Sequence, residues 1–474
     1  MGARIRRRRR QVFGLSLPRL PPGAYPDISI HNPSPENALN PTGRRFRGFI
    51  RSGFCTLASI LLITVGCAPE EAGQPPEAAR TILFEGARLI VGDGSPPLEE
   101  GAFLVEDDWI VAVGHRGEVE APQEATRVDL TGRTVIPAFV NTHIHLSSDR
   151  EERIEQLRHN AYYGAAAVLS LGVDHGEAPF NLRAEPVPGA AISLTAGRGI
   201  TRPEPGRSEV PFWIDEPEEG REAVRELAAE GVDIVKIWVD DRGGEYEKLT
   251  PELYGAVIDE AHRHDLKVTA HIFSLEDAKG LLEAGVDAFA HGVRDRDVDD
   301  EFVAMLEERP HVVYVPNFPN PGVERDLSWL AGTIPPDELV ELQEGIGQGT
   351  EPSESFRIQA RNLERVHEAG VTIGFGTDGS SPWMAHLELE AMTWAGMSPH
   401  EVIVAATRNS AALVGLDDLG TLEAGKSADF VVLDGDPLGD ITNTRRIAAV
   451  YLRGDEMDRE GFSARLLAEA DDPR

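Results

Sequence analysis

The stretch VIPAFVNTHIH, from Val135 to His145, joins an apolar run to two histidines separated by one residue. Alternate residues of a β-strand project to the same face, so both imidazoles can reach one metal ion. Further residues that can ligate metal ions follow along the chain, each close to an apolar run. The six candidates are His143, His145, Lys236, His271, His291 and Asp378. This pattern predicts a chemistry, the activation of water by metal ions, as well as a fold.

Eight apolar, strand-like runs alternate with helical patterns between residues 139 and 416. The helical patterns include Glu222–Glu230 and Pro251–His264. Buried strands separated by helices indicate an α/β fold, here a parallel (β/α)8 TIM-like barrel. The active site of such a barrel lies at the carboxyl ends of the strands, where the candidate ligands fall. The eight runs are Phe139–His145, Ala165–Gly172, Ala191–Gly197, Val232–Val239, Lys267–Ile272, Ala288–Gly292, Val312–Asn317 and Thr372–Asp378.

Short runs with alternating apolar residues lie on both sides of the barrel, within residues 81–138 and 417–457. Glycine and proline separate the runs of the first group, as in a small antiparallel sheet. We predict that both ends of the mature chain form one small β-sandwich into which the barrel is inserted, and that residues 458–474 are a tail. The predicted strands are Thr81–Glu85, Ala87–Val91, Ala102–Glu106, Trp109–Gly114, Asp429–Leu433 and Ala448–Arg453.

Residues 1–66 have the features of an N-terminal extension and signal peptide. Arginines precede the apolar run Phe54–Val65, which is too short to span a bilayer comfortably. The run ends just before Cys67, as in a bacterial lipobox, although Thr64 stands where leucine is usual. We expect an exported cell-envelope protein, on the periplasmic side or the outer membrane, anchored by lipid at Cys67 and tethered through residues 67–80. A plain signal peptide or an uncleaved anchor is the alternative.

Charge is distributed unevenly along the chain. The formal net charge is -34, to which the first 66 residues contribute +9 and the rest -43. So acidic a surface should repel nucleic acid and anionic lipid headgroups, and solubility or adaptation to salt is the preferred interpretation of the charge. Both cysteines, Cys55 and Cys67, lie near the N-terminus, so no disulfide framework is indicated. The expected partners are a small-molecule substrate and, through the lipid anchor alone, the membrane. Association with further copies of the chain is left open.

Other histidines give weaker signals. His262 and His264 also form a His-x-His pair, but in a helix residues i and i+2 point about 200° apart. A solvated helix C-terminus, where cations are favoured, is the preferred interpretation of that pair. His175 and His386 follow strand ends and could approach a substrate, with core or surface positions as the alternative.

The motifs around the candidate ligands resemble those of the amidohydrolase superfamily with a binuclear metal site. The resemblance covers roughly residues 81 to 455, and the nearest group is the imidazolonepropionase-like and prolidase-like enzymes. That group often has a Gly-His pair near Arg198, which this chain lacks, so the resemblance implies no particular substrate at that position. The matching segments are NTHIH at 141–145, Lys236, His271, His291-Gly292, GTDG at 376–379, and residues 405–415 and 420–430.

The resemblance implies two metal ions. The more buried ion would be held by His143, His145 and Asp378, and the second by His271 and His291. Lys236 would bridge the ions as a carbamate, N6-carboxylysine. A lysine ammonium has no lone pair for a cation, but burial favours the neutral amine, which can take up carbon dioxide and become an anionic oxygen ligand.

The predicted mechanism is hydrolysis by a hydroxide that the two ions generate from a shared water. Asp378 is the predicted catalytic residue, which takes the proton of the attacking water and passes it to the leaving amine. Zinc fits the ligands best, while manganese, cobalt and iron remain open. We expect cleavage of a C–N bond in a dipeptide or N-acyl amino acid. The alternatives are a lactonase or phosphotriesterase-like esterase and a non-catalytic binding lipoprotein.

The loops after the strands are expected to select the substrate. Arg198 could bind a substrate carboxylate bidentately, with a salt bridge to a neighbouring acid as the alternative. The predicted substrate-binding residues are Arg198, Trp238 and Tyr314.

Overall fold

The computed structural model describes residues 80–185 and 187–470. The predicted signal peptide, the lipidation of Cys67 and nearly all of the tether lie outside these residues. Within them, no helix is both long and apolar enough to cross a membrane.

The described strands are β1 (Thr81–Leu89), β2 (Leu98–Glu106), β3 (Trp109–His115), β4 (Thr126–Asp129), β5 (Thr134–Pro137), β6 (Phe139–Ile144), β7 (Ala165–Ser170), β8 (Ile192–Thr195), β9 (Ile200–Thr201), β10 (Phe212–Trp213), β11 (Val235–Val239), β12 (Val268–Ile272), β13 (Ala288–Phe289), β14 (Val313–Tyr314), β15 (Gly322–Val323), β16 (Gly347–Gly349), β17 (Thr372–Ile373), β18 (Phe430–Leu433), β19 (Ile447–Leu452) and β20 (Asp455–Glu456). The described α-helices are α1 (Arg150–Tyr162), α2 (Ala178–Ala184), α3 (Pro217–Glu230), α4 (Pro251–Arg263), α5 (Leu275–Ala284), α6 (Asp300–Glu307), α7 (Pro336–Gly345), α8 (Glu354–Glu368), α9 (Met384–Trp394), α10 (Pro399–Val404), α11 (Ser410–Leu413) and α12 (Arg459–Ala470).

One eight-stranded mixed sheet combines strands from both ends of the described chain. Its order is β20-β19-β18-β5-β1-β2-β3, with β4 paired to β1. The two predicted strands Thr81–Glu85 and Ala87–Val91 are a single strand, because a register shift between Glu85 and Ala87 absorbs the intervening glycine. The strands pair into one connected sheet, and its division into the two layers of a sandwich stays a prediction.

Aromatic side chains fill the core of this sheet. Phe84 stacks on Phe103 with ring centroids 4.9 Å apart, and Phe430 stacks on Tyr451 at 4.6 Å. The two stacks meet edge to face, with Phe84 and Phe430 5.1 Å apart. Because these rings come from β1, β2, β18 and β19, their packing joins the N-terminal strands to the C-terminal ones.

Each of the eight strand-like runs predicted for the barrel contains a parallel strand. The pairing forms two arcs, β6-β7-β8 and β10-β9-β11-β12-β13-β14-β17, and no continuous closed ladder among the described residues. Backbone hydrogen bonds bridge the junctions, from Asp233 to Thr195 at 2.9 Å and from Thr142 to Phe375 at 3.0 Å. The ladder is interrupted between β8 and the longer arc and between β6 and β17, where the register of β6 shifts near its end and β17 is only two residues long.

Helices α3 and α4 show how local sequence signals place the outer layer. Pro217 stands in the first turn of α3, which therefore begins five residues before the predicted Glu222, and Gly231 ends it in a left-handed conformation. Thr250 caps α4 by accepting from the Leu253 amide, and this helix matches its prediction within one residue.

The predicted C-terminal tail contains a helix. Residues 459–470 form α12, whose Phe462 is buried and packs on Tyr162 of α1 at 5.6 Å between ring centroids. The Arg459 guanidinium lies over the same Tyr162 ring, 4.1 Å from its centroid. The division of the chain at residue 458 stays a prediction, and the helix itself was not predicted because the partners of its apolar residues are far away in sequence.

Candidate metal centre

The strand ends bring the six predicted ligands into one cluster. Strands β6, β11, β12, β13 and β17 all end on the same side, and the ligands lie in or just after them. The Asp378 carboxylate faces three imidazoles. Its Oδ1 is 2.9 Å from Nε2 of His143 and 3.1 Å from Nε2 of His145, and its Oδ2 is 3.4 Å from Nε2 of His291. One atom each of His143, His291 and Asp378 lie within 4.8 Å of one another, close enough to share an ion.

Hydrogen bonding orients His143 for ligation. Its Nδ1 lies 3.1 Å from the Ala290 carbonyl oxygen, and its Nε2 lies 2.9 Å from Asp378, so the ring is held with Nε2 toward the cluster. Burial lowers the pKa of His143 to about 4 against the opposing effect of Asp378. The imidazole is therefore neutral at neutral pH, which is the form that binds a metal ion.

The backbone at Asp378 is strained into the position that the cluster needs. Asp378 has φ +50, a left-handed conformation that non-glycine residues rarely adopt. Its amide donates to the His143 carbonyl at 2.8 Å, and this bond ties β6 to the end of β17. Such strain is often found at functional sites. Burial alone would raise the pKa of Asp378, but His143 and His291 hold it well below its ordinary value, so the carboxylate is ionised.

Lys236 lies at the bottom of the cluster. It is fully buried on β11, and its Nζ has no hydrogen-bond partner among the described residues. Burial lowers the pKa of Lys236 to about 7, with Asp378 opposing and Arg242 and Arg294 reinforcing the shift. A substantial fraction of neutral amine at neutral pH is the state that carbamate formation requires.

His271 is surrounded by three charged residues that the sequence analysis did not single out. Its Nε2 lies 2.9 Å from Oδ2 of Asp240, 3.1 Å from Nη1 of Arg242 and 3.4 Å from Nη2 of Arg294. Burial, then both guanidinium groups, lower the pKa of His271 well below its ordinary value. The signal that could have found these residues is their place just beyond the ends of β11 and β13, on the catalytic side of the fold.

Unpartnered buried nitrogens test whether the cluster fits metal ions. Nδ1 and Nε2 of His291, Nδ1 of His145 and Nζ of Lys236 are buried without a hydrogen-bond partner in the described part of the chain. Leaving so many polar atoms unpaired is costly unless something else engages them. His291 also lies against His271, with ring centroids 4.4 Å apart. Imidazole and carboxylate donors in this arrangement fit divalent transition-metal ions.

A buried acid, Glu388 of α9, lies behind the cluster and was missed. Both of its carboxylate oxygens accept from the Phe318 amide, at 3.1 and 3.0 Å. Burial raises the pKa of Glu388 to about 8, while the Phe318 amide and Arg325 oppose the shift and Asp378 adds to it. The neighbouring Asn317 has φ +45 and lies 2.6 Å from Nδ1 of His143 through its Nδ2.

The predicted substrate-binding residues have different environments. Arg198 is held by other partners: its Nε donates to the Val210 carbonyl at 2.6 Å and its guanidinium lies over Phe212. A weak ion pair of 3.9 Å joins it to Glu226, as the salt-bridge alternative proposed. Trp238 lies over Lys236, with Nζ 5.3 Å from the ring centroid.

Tyr314 is fully buried, and its hydroxyl accepts from the Val293 amide at 2.9 Å, so this position gives no support to its predicted contact with substrate. His386 is also buried, among aromatic rings, with Nδ1 3.0 Å from Oγ1 of Thr444. His386 therefore lies in the core, which was the alternative to its predicted approach to a substrate. His175 is exposed beside Ser148, whose Oγ is 3.1 Å from Nδ1.

Comparison with known proteins agrees with this geometry. The sequence profile of the Amidohydrolase family matches residues 134–457. Ochratoxinase of Aspergillus niger is 24% identical over 483 residues, covering 87% of this chain and 92% of the relative. Imidazolonepropionase of Streptomyces coelicolor is 26% identical over 389 residues, covering 75% of this chain and 93% of the relative. A crystal structure from Bifidobacterium longum, provisionally assigned as a prolidase, superimposes with a TM-score of 0.67 at 28% identity. The match covers 82% of this chain and 99% of that structure.

The fold and the cluster of histidines, lysine and aspartate thus define a hydrolase of the metal-dependent α/β type. The chain belongs to the Amidohydrolase family, whose solved members share this fold of the TIM-barrel type. The predicted resemblance is confirmed, as is the prediction of a metal-dependent amidohydrolase that acts on C–N bonds.

Proposed function

We propose that this protein uses two divalent metal ions, most suitably zinc, to hydrolyse the C–N bond of a dipeptide or an N-acyl amino acid. The observation that carries the proposal is the convergence of six potential ligands at the strand ends. His145, Lys236 and His291 have buried nitrogens without a hydrogen-bond partner in the described chain. His143, His145 and His291 face the ionised Asp378 carboxylate.

Divalent ions held here would activate water for attack and polarise the scissile carbonyl. The residues of the chain supply the remaining functions. Asp378 stays ionised because His143 and His291 face it, so it can hold the proton of the attacking water and return it to the leaving amine. Lys236, as a carbamate, would contribute two anionic oxygens between the His143 and His271 sides of the cluster. The Ala290 carbonyl and the Asn317 side chain lie against Nδ1 of His143 and hold its ring with Nε2 toward Asp378.

The choice of a C–N bond rests on the family and on what its relatives are named for. An Eubacterium barkeri relative, 23% identical over 384 residues, is an enamidase, and the Bifidobacterium structure is provisionally assigned as a prolidase. Both names denote enzymes that hydrolyse a C–N bond. The same chemistry would also attack lactones and phosphotriesters, so the substrate class must be decided by experiment.

Purified protein reconstituted with zinc should be assayed against dipeptides, N-acyl amino acids, lactones and phosphotriesters. The proposal expects turnover in the first two sets that is lost in Asp378→Asn and in Lys236→Ala. Turnover restricted to lactones or phosphotriesters would replace it with the esterase alternative. Stoichiometric metal with no turnover in any set would favour a binding protein. Arg296→Met, at a side chain that is 66% exposed, is the matched control and should keep full activity.

We further propose that the protein is exported and anchored through a lipid on Cys67. The support is the basic and apolar sequence that precedes this residue. Cell fractionation with a Cys67→Ser variant tests it. Wild type should enter the membrane fraction and the variant the soluble fraction, whereas the same distribution for both would contradict the anchor.

A further inference from the structure

The indole of Trp238 lies beside two of the candidate metal ligands. Trp238 comes two residues after Lys236 on β11, so both side chains project to the same face of the strand. Across the ladder, Trp238 is the register partner of His271 on β12. The Nζ of Lys236 is 5.3 Å from the centroid of the indole ring. The indole is therefore part of the inner wall of the site, directly beyond the buried lysine.

Two glycines support the indole from behind. Gly172 follows β7 and Gly199 lies between β8 and β9, and the Gly199 amide donates to the Gly172 carbonyl at 2.7 Å. A Cβ atom at Gly199 would lie 2.6 Å from Cη2 of Trp238. A Cβ atom at Gly172 would overlap the same ring and lie 2.9 Å from Cγ of Lys236. Because carbon atoms pack at about 3.5–4.0 Å, only glycine at both positions leaves room for the indole.

The indole has little freedom to move. Its ring packs directly on the backbone of the two glycines, and Gly172 has φ +89, a conformation that other residues adopt only with strain. Trp238 is partly exposed, whereas its neighbours Ile237 and Val239 are buried. Because the side chain projects to the inner face near the carboxyl end of β11, its open part faces the mouth of the site. A large ring packed on strand ends forms a rigid wall there.

We infer that Trp238 limits the size of the substrate group that enters this side of the metal centre. This inference rests on the proposed function and deepens it: the substrate is an amide whose group beside the indole is small and aliphatic, such as an acetyl group or an alanine side chain. A wider group would have to displace the indole, and the glycine backbone behind the ring leaves it no space to retreat. Trp238 is thus a specificity-determining residue.

Three N-acyl amino acids test this role. They are N-acetyl-alanine, N-benzoyl-alanine with an enlarged acyl group, and N-acetyl-phenylalanine with an enlarged amino-acid side chain. Zinc-loaded wild type should turn over N-acetyl-alanine and show a kcat/KM about tenfold or more lower for at least one enlarged compound. Trp238→Ala should remove that difference for the same compound, and Trp238→Phe should reduce it in part. Trp109→Ala, at a tryptophan of β3 that is 43% exposed, is the matched control and should keep the selectivity of wild type.

Equal or higher kcat/KM of wild type for both enlarged compounds would overturn the inference, and this result needs no variant that folds. Discrimination that persists unchanged in Trp238→Ala would also overturn it, and Trp238→Leu takes the place of that variant if it does not fold.

Absence of turnover for all three compounds would refute the proposed function and shift the comparison to calorimetric binding of the same compounds. Weaker binding of one enlarged compound, restored by Trp238→Ala, would then still support the size limit. Equal binding of all three compounds to wild type would overturn it.

Discussion

Replacing Glu388 by glutamine should stabilise the protein at pH 8 and have little effect near pH 4. Glu388 is 6% exposed, and burial raises its pKa from 4.5 to about 8. Glutamine keeps an acceptor for the Phe318 amide and cannot ionise. It therefore imitates the protonated acid, which is the form that the folded protein prefers.

The direction follows from the two pKa values. Between 4.5 and about 8 the folded state holds a proton on Glu388 that the unfolded state has released. The contribution of this group to stability is fully present below 4.5 and is lost as the pH rises through about 8. Each pKa unit corresponds to about 1.4 kcal/mol, so the loss at pH 8 amounts to about 5 kcal/mol. Structural relaxation around an ionised Glu388, and the nearby charge of Arg325, reduce this loss of stability, which should still be at least about 3 kcal/mol.

Urea unfolding followed by circular dichroism at pH 5, 6, 7 and 8 measures the difference between wild type and Glu388→Gln. The advantage of the variant should grow steadily with pH. Glu390→Gln on the same helix is the control, since Glu390 pairs with Arg445 at 3.0 Å and its replacement should destabilise the protein. A difference between wild type and Glu388→Gln that stays constant from pH 5 to pH 8 would refute the assignment of the raised pKa to Glu388.

Two further substitutions probe the scaffold, each measured by urea unfolding. Asp174→Asn breaks a bidentate pair with Arg153, at 3.0 and 3.1 Å between fully buried groups, and should cost about 3–5 kcal/mol because the arginine is left without its counter-ion. A loss below about 1 kcal/mol would show that the pair is solvated. Phe430→Ala removes the ring that contacts Phe84, Phe103 and Tyr451, and should cost about 3–5 kcal/mol. A negligible loss would mean that the sheet joining both chain ends does not depend on this aromatic core.

The clustering of the six candidate ligands could be anticipated from sequence because part of its signal is local. A histidine at the end of an apolar strand has its direction fixed by the two-residue period of the strand, and His143 follows this rule. Asp378 lies five residues beyond β17 in a left-handed conformation, so its approach to His143 depends on the tertiary fold. Helices α3 and α4 were also predictable, since proline, threonine and glycine mark their ends. The short strands β13, β14 and β17 were recognisable by their apolar composition, although the extent of their pairing was not.

The residues around the ligands could not be predicted because their positions depend on tertiary contacts. The segment Asp240–Gly244 has the composition of an exposed turn, and only the left-handed backbone at Arg242 turns that side chain toward His271. Glu388 lies in a helical pattern where an acid is ordinarily solvated, and in the folded chain it is buried and accepts from the distant Phe318 amide. Tyr314 was predicted to bind substrate from its place on the seventh strand-like run, but its side chain is fully buried and its hydroxyl accepts from the Val293 amide.

The central claim is that the strand ends of this chain hold two metal ions joined by a modified Lys236. Metal content per chain and intact mass under native conditions, on protein beginning at residue 68, test it directly. The account predicts two ions per chain and a mass gain of one carbon dioxide for the wild type. The control Lys248→Ala should show both, and Lys236→Ala should lack the mass gain. One ion without the added mass, or no metal after reconstitution with zinc, would contradict it.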